Sequence, residues 1–283
     1  MGGCASPAGK SLADGKKTEQ PATALDEKSV AELVQRGDAA WQAGDLDRAV
    51  YYYVASMQKT TPVAATLAKI GAIEESRNNG ALAEKAFEMA HAAGPLDLRI
   101  EERLGRLYLQ HAKVDEAAMI FAIVIAADPQ RTRALDGMGE VYLARSDYTQ
   151  AVRFFDRALQ AQDADVAAVR AHRGCAMLRA NDLARAEADL RAALTGSRRF
   201  DAVRCLGELH LRRGDNAASF ESFITIMDTA HAYNEIGLLL LRKKDYRNAG
   251  EYFAKALSAS PTWYEDAQKN LALANEKMRN DKD

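Results

Sequence analysis

The chain has 283 residues, of which 28% are charged and 48% are hydrophobic, and its formal net charge is −2. These proportions are ordinary for a helical protein, and the nearly neutral balance gives no reason to expect nucleic-acid binding. No stretch of the sequence reaches the ~18–20 consecutive apolar residues that a membrane-spanning helix needs.

The polar N-terminal segment carries a cysteine that could be lipidated. Residues 1–28 contain few side chains that a core could bury, so we predict that they form a disordered tether. The small residues before Cys4 resemble the end of a bacterial lipobox, in which the cysteine is diacylated and becomes the mature N-terminus. Met1 would then stand where a longer leader was. Ser6 resembles the residue at this position in lipoproteins sorted to the outer membrane, which favours a lipid-anchored protein on the periplasmic face.

Two other interpretations of the same residues stay open. Gly2 and Ser6 match the pattern for N-myristoylation, with Cys4 available for a second acyl chain. Alternatively, Cys4 has no role and carries no lipid, in which case we expect a cytoplasmic protein.

Seven glycines recur along the rest of the chain, with intervals of 34, 34, 34, 35, 33 and 30 residues. They are Gly37, Gly71, Gly105, Gly139, Gly174, Gly207 and Gly237. A small residue follows each of them by twelve positions, namely Ala49, Ala83, Ala117, Ala151, Ala186, Ser219 and Ala249. A large residue follows by sixteen positions, namely Tyr53, Phe87, Phe121, Phe155, Leu190, Phe223 and Phe253. A period near 34 predicts a stack of helical hairpins.

Each repeat has the features of two packed helices. A glycine and a small residue at a helix crossing allow the two backbones to approach closely, and the large side chain fills the space one turn further along the second helix. Gly44-Asp45 and Gly214-Asp215 are typical of the turn between the helices, because glycine tolerates the left-handed conformation and aspartate caps the next helix. Pro95, Pro129 and Pro261 are expected to end second helices, because proline cannot extend them.

The pattern resembles the tetratricopeptide repeat (TPR), and the resemblance covers residues 29–261. It implies an all-α solenoid, a right-handed superhelix of about seven helical hairpins. The family's aromatic residue three positions after the glycine is present at Tyr108 and Tyr142 and replaced in the other repeats. The last interval of 30 residues predicts a linker about one helical turn shorter and a local irregularity there. We predict that residues 262–283 form a capping helix, from Thr262 to about Lys277, and a polar tail.

The sequence offers no catalytic or metal-binding constellation. Its five histidines are scattered and form neither an HExxH motif nor a pair at helical spacing. Gly137-x-Gly139 lacks the third glycine and the preceding strand of a phosphate loop. We therefore predict that the protein is not an enzyme and needs no cofactor and no metal. Cys175 and Cys205 lie in neighbouring repeats, as two small half-buried residues or as a disulfide if their Cα atoms come within ~7 Å.

One row of residues indicates where a partner would bind. Four positions after the repeat glycine stand Trp41, Glu75, Leu109, Leu143, Leu178, Leu211 and Leu241, of which six are apolar. The TPR resemblance implies binding along a concave face lined by the first helices, where an apolar row would hold an amphipathic helix or a hydrophobic strand of a partner. Arg179, Arg212 and Arg242 directly follow three of the leucines and favour a partner segment with an acidic edge. The other interpretation is that the leucines pack between neighbouring repeats.

A lipid-anchored TPR stack resembles the pilus-assembly lipoproteins, both the TadD group of the tight-adherence (Tad) pilus and the PilF group of type IV pilus pilotins. The segments Tyr233–Gly237, Ser260–Tyr264 and Asn270–Ala274 look closest to the Tad-type proteins. The resemblance implies a non-enzymatic, outer-membrane scaffold that binds a secretin subunit or another pilus or secretion component and assists its targeting or assembly. The alternatives are a general TPR scaffold and an envelope-polysaccharide assembly lipoprotein without a pilus role.

Overall fold

The structure, a computed structural model, describes residues 29–161, 165–260, 262 and 264–281. The predicted tether with Cys4 lies outside these residues, and so do Pro261 and Trp263. The described residues form helices and turns without a strand, which confirms the predicted all-α class. Among these helices, none combines the length and the apolar character that a membrane crossing requires.

The described helices come in pairs, followed by one last helix. In chain order they are α1 (Val30–Gln42), α2 (Leu46–Gln58), α3 (Ala64–Ser76), α4 (Gly80–Ala93), α5 (Leu98–Gln110), α6 (Val114–Ala127), α7 (Thr132–Ala144), α8 (Tyr148–Gln160), α9 (Val166–Arg179), α10 (Leu183–Ala192), α11 (Arg199–Arg212), α12 (Asn216–Phe223), α13 (Thr229–Arg242), α14 (Tyr246–Ala259) and α15 (Glu265–Asn280). Each repeat glycine lies in the first helix of a pair, and the large residue sixteen positions later lies in the second. The capping helix α15 begins and ends three residues later than predicted, and its Ala267 and Ala274 are buried.

The chain divides into two compact units. The first ends at Gly94 and contains the hairpins α1–α2 and α3–α4, while the second begins at Pro95 and contains α5 to α15. Consecutive hairpins within each unit share apolar clusters. One such cluster joins Leu178 of α9 and Leu190 of α10 to Leu206 and Leu209 of α11. Because each hairpin buries its apolar face only against a neighbour, the stack and not the single hairpin is the stable structure.

The large side chain of each second helix lies directly on the repeat glycine of the first. A Cβ atom on Gly37 would lie 2.5 Å from the ring of Tyr53, and one on Gly237 would lie 2.5 Å from the ring of Phe253. The same close approach recurs at Gly71, Gly105, Gly139, Gly174 and Gly207. These positions therefore require glycine, because the large side chain of the second helix occupies the space that any other side chain would need.

The turns within the hairpins have the predicted chemistry. Gly44 and Gly214 have left-handed backbone conformations, with φ of 78° and 82°, and Asn181 has φ of 65° at the equivalent position. The aspartate that follows caps the second helix through its side chain in five hairpins, at Asp45, Asp147, Asp182, Asp215 and Asp245. Each cap accepts a backbone N–H that the first helical turn leaves without a partner.

The predicted irregularity lies in a helix and not in a linker, so this detail of the sequence prediction was wrong. Helix α12 has 8 residues, compared with 13 in α8, and the segment 224–228 before α13 is as long as the segment 59–63 before α3. Ile224-Thr225-Ile226 follows the end of α12, and β-branched residues have low helix propensity. The Thr225 hydroxyl also donates to the carbonyl oxygen of Ser222. Helix α10 is short as well, with 10 residues.

Candidate partner groove

An open groove in the second unit lies along the first helices of neighbouring hairpins. Three residues of each first helix share one face. They stand two positions before, one position after and five positions after the repeat glycine, and residues three or four positions apart lie on the same side of a helix. On α9 these are His172, Cys175 and Arg179. The groove has a volume of about 360 Å³ and is lined by Glu140, Leu143, His172, Cys175, Arg179, Arg198, Asp201, Arg204, Cys205, Glu208, Phe223, Glu235, Leu239 and Arg242.

A disulfide lies in the wall of the groove. Cys175 of α9 and Cys205 of α11 are bonded, with their Cα atoms 5.6 Å apart, and both are half-buried. The sequence left their pairing open, and the structure pairs them. The bond therefore joins the first helices of two successive hairpins at the groove.

The arginines of the groove differ in how far they are already paired. Arg179 forms a 3.4 Å ion pair with Glu208, and Arg198 forms a 3.4 Å pair with Asp201. Arg204 and Arg242 are exposed and form no hydrogen bond or ion pair with another described residue. Their guanidinium groups are available for a carboxylate of a partner, which they can bind through two parallel hydrogen bonds. Glu235 contributes an opposing carboxylate to the same groove.

One end of the groove holds a buried histidine between two carboxylates. His172 Nδ1 donates to Asp136 Oδ1 at 2.9 Å and lies 3.9 Å from Glu140 Oε1. Burial lowers the pKa of His172, but the hydrogen bond and the negative charges of Asp136 and Glu140 outweigh it, so the pKa lies above its ordinary value. Burial also raises the pKa of Glu140. His172 is therefore protonated more readily than a free histidine and forms an ion pair within the wall.

The same three side chains could offer ligands to a metal ion. One ligand atom from each of Asp136, Glu140 and His172 lies within 4.8 Å of the others. The positive charge of Arg198 acts on both Glu140 and His172 and would repel a cation at this place. The arrangement therefore fits a protonated histidine between carboxylates better than a metal centre.

The apolar row predicted from the sequence lies mostly between repeats. Leu178 and Leu211 are buried, with exposed fractions of 0% and 2%. The other members are half-buried and pack against the apolar clusters, namely Trp41, Leu109, Leu143 and Leu241. Of the row, Leu143 lines the groove. The leucines stand four positions after the glycine, directly before the position that faces the groove. Successive residues of an α-helix are about 100° apart, so the leucines face the neighbouring hairpin instead. A contact of this row with a partner stays a prediction.

The three arginines that follow the leucines have different surroundings. Arg179 and Arg242 line the groove. Arg212 instead donates from Nη1 to the carbonyl oxygen of Leu178 at 2.8 Å and from Nη2 to Glu208 at 2.7 Å. Arg212 therefore connects two hairpins.

Sequence reasoning missed the groove residues two positions before and one position after the repeat glycine. These include His172, Cys175, Cys205 and Glu208. Helical spacing could have identified them. Cys175 and His172 stand four and seven positions before Arg179 and therefore lie on the same face of the helix. Asp201 has the same helical spacing to Cys205 and Glu208 in α11. Arg198 had no such signal, because it stands immediately before the first residue of that helix.

Comparisons with known proteins show the fold. The sequence profile of the family described as "Tetratricopeptide repeat" matches residues 102–167 and 230–262. A crystal structure of a tetratricopeptide repeat protein from Parabacteroides merdae superposes with a TM-score of 0.66 at 22% identity, covering 87% of this chain and 98% of that one. No curated protein sequence matches the chain at a significant level.

Two further solved structures with the same fold carry names from pilus biology. Pseudomonas aeruginosa pilF superposes with a TM-score of 0.55 at 16% identity, covering 82% of this chain and 99% of that one. PilW, described as a widely conserved type IV pilus biogenesis factor, gives a TM-score of 0.59 at 16% identity and covers 74% of this chain and 98% of that one. At these identities the likeness is one of fold.

Proposed function

We propose that this chain, whose helices form a solenoid with the tetratricopeptide-repeat fold, is a non-enzymatic scaffold that holds a segment of a partner protein in the groove of its second unit. The partner segment has an apolar face and an acidic edge. The observation that carries this proposal is the pair of exposed arginines, Arg204 and Arg242, which have no partner among the described residues.

The composition of the groove supports this partner chemistry. The half-buried Leu143 gives it apolar contact area, while Arg204 and Arg242 offer charge-assisted hydrogen bonds to carboxylates. Glu208 and Asp201 are neutralised by Arg179 and Arg198, so they oppose an acidic ligand less than free carboxylates would. A partner helix or strand with leucines on one face and glutamates or aspartates along its edge matches both features.

We further propose that the partner is a secretin subunit or another component of pilus or secretion assembly. Two observations support this. One solved structure with this fold, PilW, is described as a type IV pilus biogenesis factor, and another is that of Pseudomonas aeruginosa pilF. The sequence around Cys4 resembles a lipobox, which would hold the scaffold at the periplasmic face of the outer membrane. The scaffold would then assist the targeting or assembly of a membrane partner.

A second candidate is a general TPR scaffold, or an envelope-polysaccharide assembly lipoprotein, that uses the same groove without a pilus role. The fold serves either function equally, so partner identity and not architecture separates them.

The test uses the full-length protein purified from its own envelope, with mass spectrometry of the N-terminal peptide and of co-purifying proteins. The proposal predicts a diacylated Cys4 and a co-purifying secretin or pilus component. It also predicts that Cys4→Ser moves the protein from the membrane fraction to the soluble fraction. An unmodified Cys4 would contradict the anchor, and a polysaccharide-assembly partner would contradict the pilus role while leaving the scaffold.

A further inference from the structure

The bond between Cys175 and Cys205 occupies a position where it can set the width of the groove. It joins α9 to α11, and both helices contribute arginines to the groove, Arg179 from the first and Arg204 from the second. Both cysteines are half-buried and line the open space, so a small thiol or the active site of a dithiol protein has a path to the bond.

The disulfide also spans the part of the second unit that has the shortest second helices. Helices α10 and α12 have 10 and 8 residues, whereas α6 and α8 have 14 and 13. The short second helices offer fewer turns to the next hairpin than α6 and α8 do, so the contacts between the first helices matter more here. The disulfide adds a covalent link to the noncovalent contacts that already join α9 and α11, namely the apolar cluster around Leu178 and Leu206 and the hydrogen bond from Arg212 to the Leu178 carbonyl oxygen.

We propose that the Cys175–Cys205 disulfide is a reversible redox site that locks the groove in its binding-competent width. This proposal rests on the proposed function of the groove. Oxidised protein holds α9 and α11 at a fixed separation and binds the partner segment. Reduced protein lets the two helices move apart, which lowers its affinity for the same segment because the groove must be reordered on binding.

The chemical step is thiol–disulfide exchange with a dithiol reductant. A thiolate of the reductant attacks one sulfur of the Cys175–Cys205 bond, that bond breaks, and the other cysteine leaves as a thiolate and takes up a proton. The second thiol of the reductant then displaces the remaining cysteine and forms a disulfide within the reductant. The protein gains two electrons and two protons, and the reductant loses the same.

The test compares three forms of the full chain, all in a Cys4→Ser background so that the groove disulfide is the only one possible. These are oxidised protein, protein reduced with dithiothreitol, and the double variant Cys175→Ala with Cys205→Ala. The probe is a short fluorescein-labelled helical peptide with a leucine face and a glutamate edge, and the control peptide has glutamine in place of glutamate. Hydrogen exchange of α9 and α11 is measured on the same samples, with α1 as the internal control.

The lock predicts that reduced protein and the double variant bind the acidic peptide at least about fivefold more weakly than oxidised protein, the lower end of common coupling energies. It also predicts faster exchange of α9 and α11 in both, with unchanged exchange of α1. Because coupling is reciprocal, bound peptide should make the Cys175–Cys205 bond harder to reduce at equilibrium in a dithiothreitol redox buffer.

Other results would distinguish a failure of the proposed redox lock from a failure of the proposed function of the groove. Equal binding by oxidised and reduced protein would overturn the lock and leave the groove intact. If the peptide binds none of the forms, the partner chemistry of the proposed function fails, and hydrogen exchange alone then decides the lock. Unchanged exchange of α9 and α11 on reduction would overturn it. Free thiols at Cys175 and Cys205 in protein purified without reductant would overturn it as well.

Discussion

Arg212 donates a hydrogen bond from its guanidinium group to the main-chain carbonyl oxygen of Leu178, at 2.8 Å. The arginine belongs to α11 and the leucine to the last turn of α9, and the same carbonyl oxygen also accepts from the Asn181 N–H at 3.1 Å. Lys243 makes the corresponding contact with Leu211 at 3.4 Å in the next hairpin pair. A residue that the sequence suggested for partner binding thus holds successive hairpins together.

Leu178 should therefore behave as a core residue. It has no exposed surface, so Leu178→Ala should cost about 2–5 kcal/mol of unfolding free energy. Leu273→Ala on α15, where the leucine is 39% exposed, is the control and should cost much less. Urea denaturation followed by circular dichroism measures both. Equal stability of the two variants would show that Leu178 is not part of the packing between hairpins.

The glycine contacts predict opposite effects of the same substitution in one hairpin. Gly237→Ala places a methyl group 2.5 Å from the ring of Phe253, and overpacking of this kind costs about 1–3 kcal/mol. Gly250→Ala meets nothing closer than 3.7 Å, so the higher helix propensity of alanine should stabilise the protein by up to about 1 kcal/mol. The midpoints of thermal unfolding should move in opposite directions. A shift of both midpoints in the same direction would contradict the packing described for the repeat glycine.

Removal of the disulfide should lower stability independently of any partner. The two cysteines are separated by 30 residues, and closing a loop of that size is worth about 3–4 kcal/mol in the chain-entropy description. Unfolding of oxidised protein should therefore require more urea than unfolding of the Cys175→Ala, Cys205→Ala variant. Cys4→Ser is the matched control and should leave the midpoint unchanged. Coincident curves for oxidised protein and the double variant would contradict this prediction.

His172 should make the stability of the wall depend on pH. Its pKa is raised in the folded state above the ordinary value of about 6.5, so its ion pair stabilises the fold fully below that pH. This contribution is lost as the pH rises through the folded pKa. The stability difference between the natural protein and His172→Gln should shrink as the pH rises from below the ordinary pKa through the raised pKa of the folded protein. Asp136→Asn should remove most of this pH dependence, and a difference that grows with pH would show that the sign is wrong.

The free arginines predict a specific loss of binding. Arg204→Gln with Arg242→Gln should weaken binding of the acidic helical peptide by about tenfold or more, because each charge-assisted hydrogen bond contributes about 1.5–3 kcal/mol. Arg48→Gln with Arg247→Gln removes the same charge from exposed sites outside the groove and should have little effect. Fluorescence anisotropy at constant salt measures both variants. Equal losses in the two would indicate non-specific attraction by net charge.

Local and periodic signals made the fold predictable. The glycine and large residue of the first repeat, Gly37 and Tyr53, have counterparts at the same spacing through the chain, and some hairpin turns carry a typical pair such as Gly214-Asp215. The groove was harder to predict, because it combines residues from different hairpins. An apolar side chain such as Leu178 or Leu211 suits a binding groove and a protein core equally well. Only its position in the folded structure shows in which of these it lies.

The pairing of Cys175 with Cys205 likewise could not be predicted from the sequence, because it depends on residues from different hairpins. Their separation in sequence leaves the distance between their Cα atoms open, and the packing of α9 on α11 brings those atoms to 5.6 Å. The loss of helical turns in α12 was visible as a short interval between glycines. The interval does not say whether a helix or a linker is shortened, because both change the spacing equally.

Site-specific photo-crosslinking in the native envelope tests whether the groove of the second unit holds a partner protein. A photoreactive residue is placed at Glu235, a half-buried groove residue that is not proposed to bind the partner. In a separate sample it is placed at Arg247, whose side chain is 84% exposed on α14. The proposed function predicts one crosslinked species from Glu235 that mass spectrometry identifies as a secretin subunit or another pilus or secretion component, with no such species from Arg247. Crosslinking of that partner from Arg247 and not from Glu235 would contradict it.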